Sequence, residues 1–517
     1  ALGDKAAKRV TPTVGAEQES LFGERALFDR RLNLKVCGHT LMGARPPKGQ
    51  ELEDHYYGSI CERVRAFMRE LDEELWRLGV PAKTEHNEVA PGQYELASVF
   101  ASANIACDHN QIMMELMRKV ALRHGFACLL HEKPFAGVNG SGKHNNWSLC
   151  TDRGENLLKP GKNPAANPRF LLFLCAILEA VDRHADLLRL AASCPGNDER
   201  LGGNEAPPAI VSVFLGEPLT RVLESVATSH TLPAEERKQL LTGVKSLPLV
   251  TLDDADRNRT SPFAFTGNKF EFRMVGSSQS VGLVNAVVGG IVADTLCSYA
   301  DALEASDNRG AEVVNLVRRC WEEHGRIIFN GNNYSAEWAA EAAKRGLPNI
   351  DHMAAAASAF IDPQNIELFT RTKIFTPGEC QSRCEILLEQ YSKTTHIEAL
   401  TMLEMTSRNV LPACITFMGS IAQSSYYAGQ EGVVSRTSVQ LTRRLAEAID
   451  RASAARDKLA RAVKTLKVKS AQQEADAWYA IRTREMAALR TACDALEELV
   501  ADSAWPMPGY SDLLYDL

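Results

Sequence analysis

Gly137-Val-Asn-Gly-Ser-Gly-Lys-His144, running directly into Asn145-Asn-Trp-Ser-Leu-Cys150, is the stretch on which the fold turns. It nearly spells the phosphate-cradling loop G-x-x-x-x-G-K-[ST], which joins a strand to a helix and ends on a hydroxyl that holds Mg²⁺. The last position here is His144, and the residues after it look extended rather than helical. Both departures argue against a P-loop NTPase. What remains is a glycine-rich loop that lets the backbone approach a substrate and delivers His144 as a metal ligand. An isolated histidine is more often structural than ligating, so its neighbours must decide.

Outward from this loop, residues 11–276 alternate strand-like and helix-like segments. Strands are predicted at 13–20, 33–42, 84–99, 146–151, 209–215 and 269–275, with amphipathic helices at 59–78, 108–124 and 168–192. In the first helix Ile60, Val64, Phe67, Met68, Leu71, Leu75 and Leu78 recur at helical spacing. Beyond Ser277 the strand signal ends. Helices are predicted at 282–303, between Ser335 as N-cap and Gly346 as C′ residue, at 379–409 with Pro412 as its stop, and at 437–466 and 471–500. The last two read as an antiparallel hairpin turning at 467–470. The expected class is α+β followed by an all-helical C-terminal region, divided as 1–276, 277–430 and 431–517. No repeat of fixed period is evident.

Composition narrows the function. A length of 517 residues suggests roughly two to four domains. With 45% hydrophobic and 24% charged residues the chain is ordinary for a globular protein. A formal charge of −7 argues against a general nucleic-acid or membrane-surface binder. Anionic substrates would then need local cations, either metals or arginines. The apolar run from Phe170 to Leu178 is too short to span a membrane, which takes about 20 residues. No charged segment leading into an apolar one follows Ala1. The 13 cysteines include no CxxC pair, and the closest two are Cys380 and Cys384. They read as reduced packing residues of a cytoplasmic protein.

Five short patterns carry candidate chemistry. Glu17 and Glu19 lie two apart in a strand-like segment and so share a face. They are either two solvated acids on an edge strand or a pair with a cation between them. In His86-Asn-Glu88-Val-Ala-Pro91-Gly92-Gln-Tyr-Glu95, Pro91-Gly92 suits the centre of a type II turn. A two-residue turn there would set Glu88 directly opposite Glu95. Such a pair destabilises a sheet unless a metal joins it. The third pattern is the glycine loop ending at His144. Asn197-Asp-Glu-Arg200-Leu-Gly-Gly-Asn204-Glu205-Ala-Pro207-Pro208 reads as a loop able to close over a site, or as plain surface. Asp256-Arg257-Asn-Arg259-Thr-Ser261 precedes Phe270-Glu271-Phe272-Arg273. There Glu271 and Arg273 share a strand face, as a buried ion pair or as a metal ligand beside a substrate-binding arginine.

These patterns, in this order, resemble glutamine synthetases. Residues 197–215, 256–275 and Thr376-Pro-Gly-Glu-Cys-Gln-Ser-Arg383 look most like the large type III branch. The resemblance implies a catalytic domain built on a curved antiparallel sheet, split-barrel-like, with helices. It implies a ligase that forms L-glutamine from L-glutamate and ammonia with ATP, through γ-glutamyl phosphate. Carried over residue by residue, Glu19, Glu88 and Glu95 should hold one divalent metal. Glu17, His144 and Glu271 should hold the other; Mg²⁺ fits, with tolerance of Mn²⁺. Asn139 and Gly140 resemble the part that contacts glutamate, and Arg200 and Arg273 its carboxylate-binding arginines. Arg259 resembles the arginine that meets the transferring phosphoryl group, and Glu205 the flap acid of the ammonia step. Asn146 and Ser148 occupy positions that touch ATP.

Two features depart from the common pattern. Asn146 stands where many members have a second histidine, and Pro262-Phe-Ala-Phe265 where many have another ATP-binding arginine. The resemblance also implies an N-terminal β-grasp domain. Only sixteen residues precede Glu17, so the chain is expected to lack most of that region. Further expectations are a cytoplasmic homo-oligomer of stacked hexameric rings, with the helices after Ser277 serving assembly. The alternatives are a ligase for another amine and an inactive scaffold.

Overall fold

The computed structural model describes residues 2, 4, 6–203, 205–229 and 258–515. Asn204, Asp256 and Arg257, which belong to the patterns quoted above, lie outside the described residues. Among the described residues nine strands form one sheet: β1 (Val10–Glu24), β2 (Ala82–Asn87), β3 (Gln93–Ser98), β4 (Ala101–Ser102), β5 (Phe126–Leu129), β6 (Gly142–Thr151), β7 (Val213–Phe214), β8 (Phe263–Phe265) and β9 (Phe270–Gly276). Their order is β2-β3-β1-β6-β9-β8-β7, with β4 and β5 also paired to β1. Every pairing is antiparallel except β7 with β8.

The strand carrying Glu17 and Glu19 is therefore central, and the edge-strand reading of that pair is corrected. β1 is 15 residues long and touches four neighbours along its length. The glycine loop leads into β6, not into a helix, so the residues after His144 are extended as expected.

Two groups of helices pack on the sheet face opposite Glu17 and Glu19. Helices Glu62–Arg77 and Ala103–Arg123 bury Val64, Phe67, Leu71, Leu75, Met113 and Met117 against Phe22, Tyr94 and Leu96. Each such side chain contributes about 1.5–3 kcal/mol on burial. Helices Pro168–Arg183, Gly282–Ala305 and Arg309–His324 pack on one another in the largest core. Helix Gly282–Ala305 is long and apolar enough to cross a membrane, yet most of its apolar window is buried in this core. None of the thirteen cysteines is joined in a disulfide among the described residues.

Several predicted elements differ. Residues 33–42 are not a strand: they begin with the helix Leu32–Cys37, ended by Gly38 at φ 75°. Two-residue alternation would put Leu34 and Val36 on one face, but Leu34 is buried and Val36 is exposed. The 168–192 helix breaks at His184 into Pro168–Arg183 and Ala185–Ala191. Only Val213–Phe214 of 209–215 is strand. Pro412 does not stop a helix. A π turn at Thr406–Val410 precedes it, and Leu411–Gln430 continues beyond. An interior proline loses a hydrogen bond and crowds the carbonyl four residues back, and a widened turn accommodates it. Ser335 does cap its helix, accepting from Trp338 N–H, and Gly346 has φ 72°.

Of the predicted hairpin, Arg436–Thr465 packs against Ala487–Glu497, whereas Ala471–Ile481 lies against Pro377–Met405. Between the last two segments, a π turn places Arg482 2.9 Å from Glu199 and 3.5 Å from Glu398. The chain then returns to the sheet. Gly43 N–H donates to Asp494 (2.6 Å), Ala44 N–H to Glu497 (2.9 Å), and Tyr510 packs edge-on against Phe135.

Candidate active site

Register builds the centre of the site from five neighbouring strands. β1 and β3 place Glu19 opposite Glu95; β2 and β3 place His86 opposite Glu95. On the other side, β1 and β6 place Glu17 opposite His144, and β6 and β9 place Asn146 opposite Glu271. Because side chains alternate along a strand, all of these project to one face. His144 Nδ1 lies 3.0 Å from Glu17 and 3.1 Å from Glu271, and its Nε2 lies 3.8 Å from Glu19. His86 Nε2 lies 2.9 Å from Glu95 and its Nδ1 3.4 Å from Glu88. Ligand atoms of Glu17, Glu95 and His144 fall within 4.8 Å of one another, as do those of His86, Glu88 and Glu95. Glu95 thus stands within reach of both groups.

The expected register of the β2–β3 hairpin is corrected by two residues. Glu88 N–H donates to Gln93 O and Gln93 N–H to Ala90 O, so the loop holds four residues around Pro91-Gly92. His86, not Glu88, is Glu95's partner. A shift of two keeps every side chain on its face, so Glu88 still joins the cluster.

The electrostatics are those of crowded acids. Burial, reinforced by Glu19, Glu95 and Glu205, pushes the Glu88 carboxyl up to about 8. Burial likewise raises Glu19. Burial would also raise Glu271, but His144 and then Arg273 outweigh it and hold the carboxyl well below the usual range. Burial is again the largest influence on His144, yet Glu17 and Glu271 together keep its imidazole well above the ordinary value. The Glu95 hydrogen bond pushes His86 up to about 9. Carboxylates this close raise one another's proton affinity unless a cation neutralises them. Five carboxylates and one or two imidazoles form a donor set suited to a hard divalent ion.

Cations line the other side of the cleft. Arg273 Nε lies 3.1 Å from Glu271, and its Nη1 donates to Asn258 O (2.6 Å) and Ser261 O (3.2 Å). Arg259 donates to Glu205 (3.0 Å) and to the Tyr56 hydroxyl (3.3 Å), and its guanidinium stands over the Tyr56 ring. Glu205 has φ 66°, a conformation a residue with a side chain holds only when its surroundings impose it.

Of the remaining predicted residues, Asn146 reaches the cluster directly. Asn139 exchanges two hydrogen bonds of 2.7 Å with the Gln50 side chain. Arg200 is 4% exposed and lies beneath the glycine loop, donating to the carbonyls of Arg273 (3.2 Å), Met274 (3.4 Å) and Val275 (3.4 Å). A Cβ on Gly140 would meet Arg200 Cγ at 3.0 Å, and one on Gly142 its Nη2 at 2.0 Å. Asn146 donates to Glu17 (2.8 Å). Ser148, two residues on, donates to Asn268 O (2.9 Å).

Sequence reasoning passed over three of these side chains. His86 carried a signal, since it sits two residues before Glu88 and must share its face. Tyr56 and Gln50 carried none, because a loop without periodicity does not show what it will meet.

Comparison with known proteins points to one family. The family of the glutamine synthetase catalytic domain matches residues 5–193, and that of the glutamine synthetase C-terminal domain matches residues 312–428. A type-3 glutamine synthetase of Dictyostelium discoideum is 43% identical, the alignment spanning 98% of this chain and 70% of the relative. A glutamine synthetase of Butyrivibrio fibrisolvens is 44% identical across 100% of this chain and 74% of the relative. One of Bacteroides fragilis is 39% identical across 99% and 72%.

Proposed function

The chain belongs to the glutamine synthetase family, and from that premise we propose that it is a glutamate–ammonia ligase. It joins ammonia to the γ-carboxylate of L-glutamate with ATP, through γ-glutamyl phosphate. The observation that carries this is the single cleft into which Glu17, Glu88, Glu95, His144 and Glu271 project beside Arg259, Arg273 and Glu205.

A carboxylate is a poor acyl donor, so its oxygen must first become a phosphate leaving group. Phosphoryl transfer depends on positioning and on neutralising charge. In this reading Glu19, Glu88 and Glu95 hold one divalent ion, and Glu17, His144 and Glu271 a second. Mg²⁺ is preferred and Mn²⁺ tolerated. When bound, such ions neutralise the ATP phosphates and the charge developing between them. Arg259 adds positive charge beside the transferring group, and Asn146 and Ser148 lie along β6 towards the nucleotide. Arg273 lines the cleft beside Glu271 and takes a substrate carboxylate. Asn139 and Gly140 present the polar edge of the glutamate site, with Arg200 supporting their loop from below.

In the second step ammonium must lose a proton before it attacks. Glu205, on a loop at the cleft, binds the cation and accepts that proton. Its loop also keeps water from the acyl phosphate. Residues 1–276 carry this chemistry in our reading, 277–430 continue the catalytic unit, and 431–517 close it. The enzyme acts in the cytoplasm as a homo-oligomer of stacked hexameric rings. Helix Leu411–Gln430 supports assembly, since it has no charged residue and leaves Ile415, Tyr426 and Tyr427 exposed.

The test is a product assay with ATP, L-glutamate and either ammonium or a panel of other amines. Glutamine should form with ammonium. Product with another amine only, or none at all, would overturn the proposal. Titration with Mn²⁺ should find two ions per chain, and Glu88→Ala should lose one.

A further inference from the structure

Glu132 is a buried acid that this chemistry does not use. It is 2% exposed and lies between β5 and the glycine loop. Its Oε1 accepts from Ser278 N–H (2.9 Å) and Ser278 Oγ–H (2.5 Å), while its own carbonyl accepts from Ser141 N–H (2.9 Å).

Three chain segments meet on this one residue, each through a glycine. A Cβ on Gly140 would lie 2.2 Å from the Glu132 carbonyl oxygen, one on Gly196 2.2 Å from Oε2, and one on Gly276 2.4 Å from Oε1. Real Cβ atoms do not come that close. Gly140 belongs to the loop of Asn139; Gly196 directly precedes Asn197–Arg200; Gly276 ends β9, the strand of Glu271 and Arg273. The Lys143 ammonium also binds this junction, donating to Gly276 O (3.2 Å) and Ser277 O. From the same segment, Ser277 Oγ donates to Glu19 O (2.7 Å), which ties the junction to β1.

A carboxylate suits this place better than its neutral isostere. An amide would turn N–H groups towards the Gly196 backbone, which lies against Oε2. We infer that Glu132 is a positioning residue for the amino-acid substrate: it sets the spacing of the Asn139–Gly140 loop, Arg200 and Arg273 without touching glutamate. The inference rests on the proposed reading of that loop and Arg273 as the glutamate site.

The experiment is steady-state kinetics on the whole chain with saturating Mg²⁺, comparing Glu132→Gln, Ser278→Ala and Asn139→Ala. Glu132→Gln should raise KM for glutamate about tenfold, since small displacements of positioning groups are costly. KM for ATP should stay within about twofold, and kcat within about threefold. Ser278→Ala removes one donor and keeps the backbone bond, so it should move KM for glutamate alone, by about threefold. It provides the readout if Glu132→Gln folds poorly. If Asn139→Ala raises KM for glutamate but neither of the other variants does, the positioning role is wrong and the site reading survives. If the two variants shift both KM values and kcat together with the melting temperature, Glu132 is merely structural and the inference is overturned. If Asn139→Ala leaves KM for glutamate unchanged, the site reading fails and the inference with it.

Discussion

Glu271 and Glu205 are acids of the same cleft, but they are held in different ways. Glu271 stands on β9, one residue after its start, 5% exposed, with His144 and Arg273 each at 3.1 Å. Glu205 stands in a loop at φ 66°, its carboxylate 3.0 Å from Arg259, and these two side chains are 35% and 60% exposed. An exposed pair of this kind contributes about 0–1 kcal/mol, whereas removing one partner of a buried pair costs about 3–5 kcal/mol. The strand-borne half of the site is therefore rigid enough to shape a divalent-ion cradle. The loop-borne half is held by an exposed pair that costs little to break.

The sharpest way to break this contrast is Glu271→Ala. It removes a cradle ligand and leaves Arg273 and His144 without their shared carboxylate. Glutamine formation should fall by roughly 10³-fold or more, the scale of several kcal/mol of lost charge stabilisation. Metal titration should show weakened binding in the same variant. Activity within tenfold of the parent would mean that β9 does not serve the cradle.

Glu205→Gln should have a smaller and more selective effect. It keeps the loop and loses the base, so turnover should drop by about 10²-fold while ATP affinity holds within a few-fold. Nucleotide binding followed by calorimetry separates the two. A collapse of ATP affinity with turnover preserved would place Glu205 on the nucleotide side.

The smallest expected effect lies on the other face of β2. Glu85 points into the core between Phe67 and Leu96, and burial together with Asp72 pushes its carboxyl up to about 7. Its folded pKa exceeds the unfolded one, so the folded state binds the extra proton between about 4.5 and 7. The ionisation penalty is absent below that window and complete above it. Glu85→Gln should therefore stabilise the protein at pH 8 by about 1 kcal/mol, after discounting for partial exposure, and by nothing near pH 4. Denaturant melts at both pH values give the comparison. Equal stabilisation at both would show that Glu85 is ionised without cost. Beside Glu88, three residues away, it shows that a strand acid's worth depends on which face it takes.

Much of the site was legible because strand alternation is strict. Glu17 with Glu19, and Glu271 with Arg273, had to share faces whatever surrounded them. The glycine loop was legible because one histidine in place of a hydroxyl, followed by extended residues, rules out a strand-to-helix P-loop. The hairpin was legible in its turn and not in its register. Pro91-Gly92 marked the bend, but the hydrogen bonds of Glu88 and Gln93 decided the loop length. Residues 33–42 misled because Leu34 and Val36, set between Asn33 and Lys35, mimic alternation over a stretch in which Gly38 ends a short helix.

By itself, then, the sequence determined which residue types stand two apart on a face, where chain direction turns, and which acids must find a cation or a proton. Those are consequences of backbone geometry and hold within a few residues. Only the tertiary structure decided that β1 is central and not an edge, that β2, β3, β1, β6 and β9 lie in that order, and that Tyr56 and Gln50 reach Arg259 and Asn139. It alone brought Gly140, Gly196 and Gly276 together on Glu132. Contacts between segments so far apart in the chain depend on which surfaces the whole fold buries, and no local pattern records that choice.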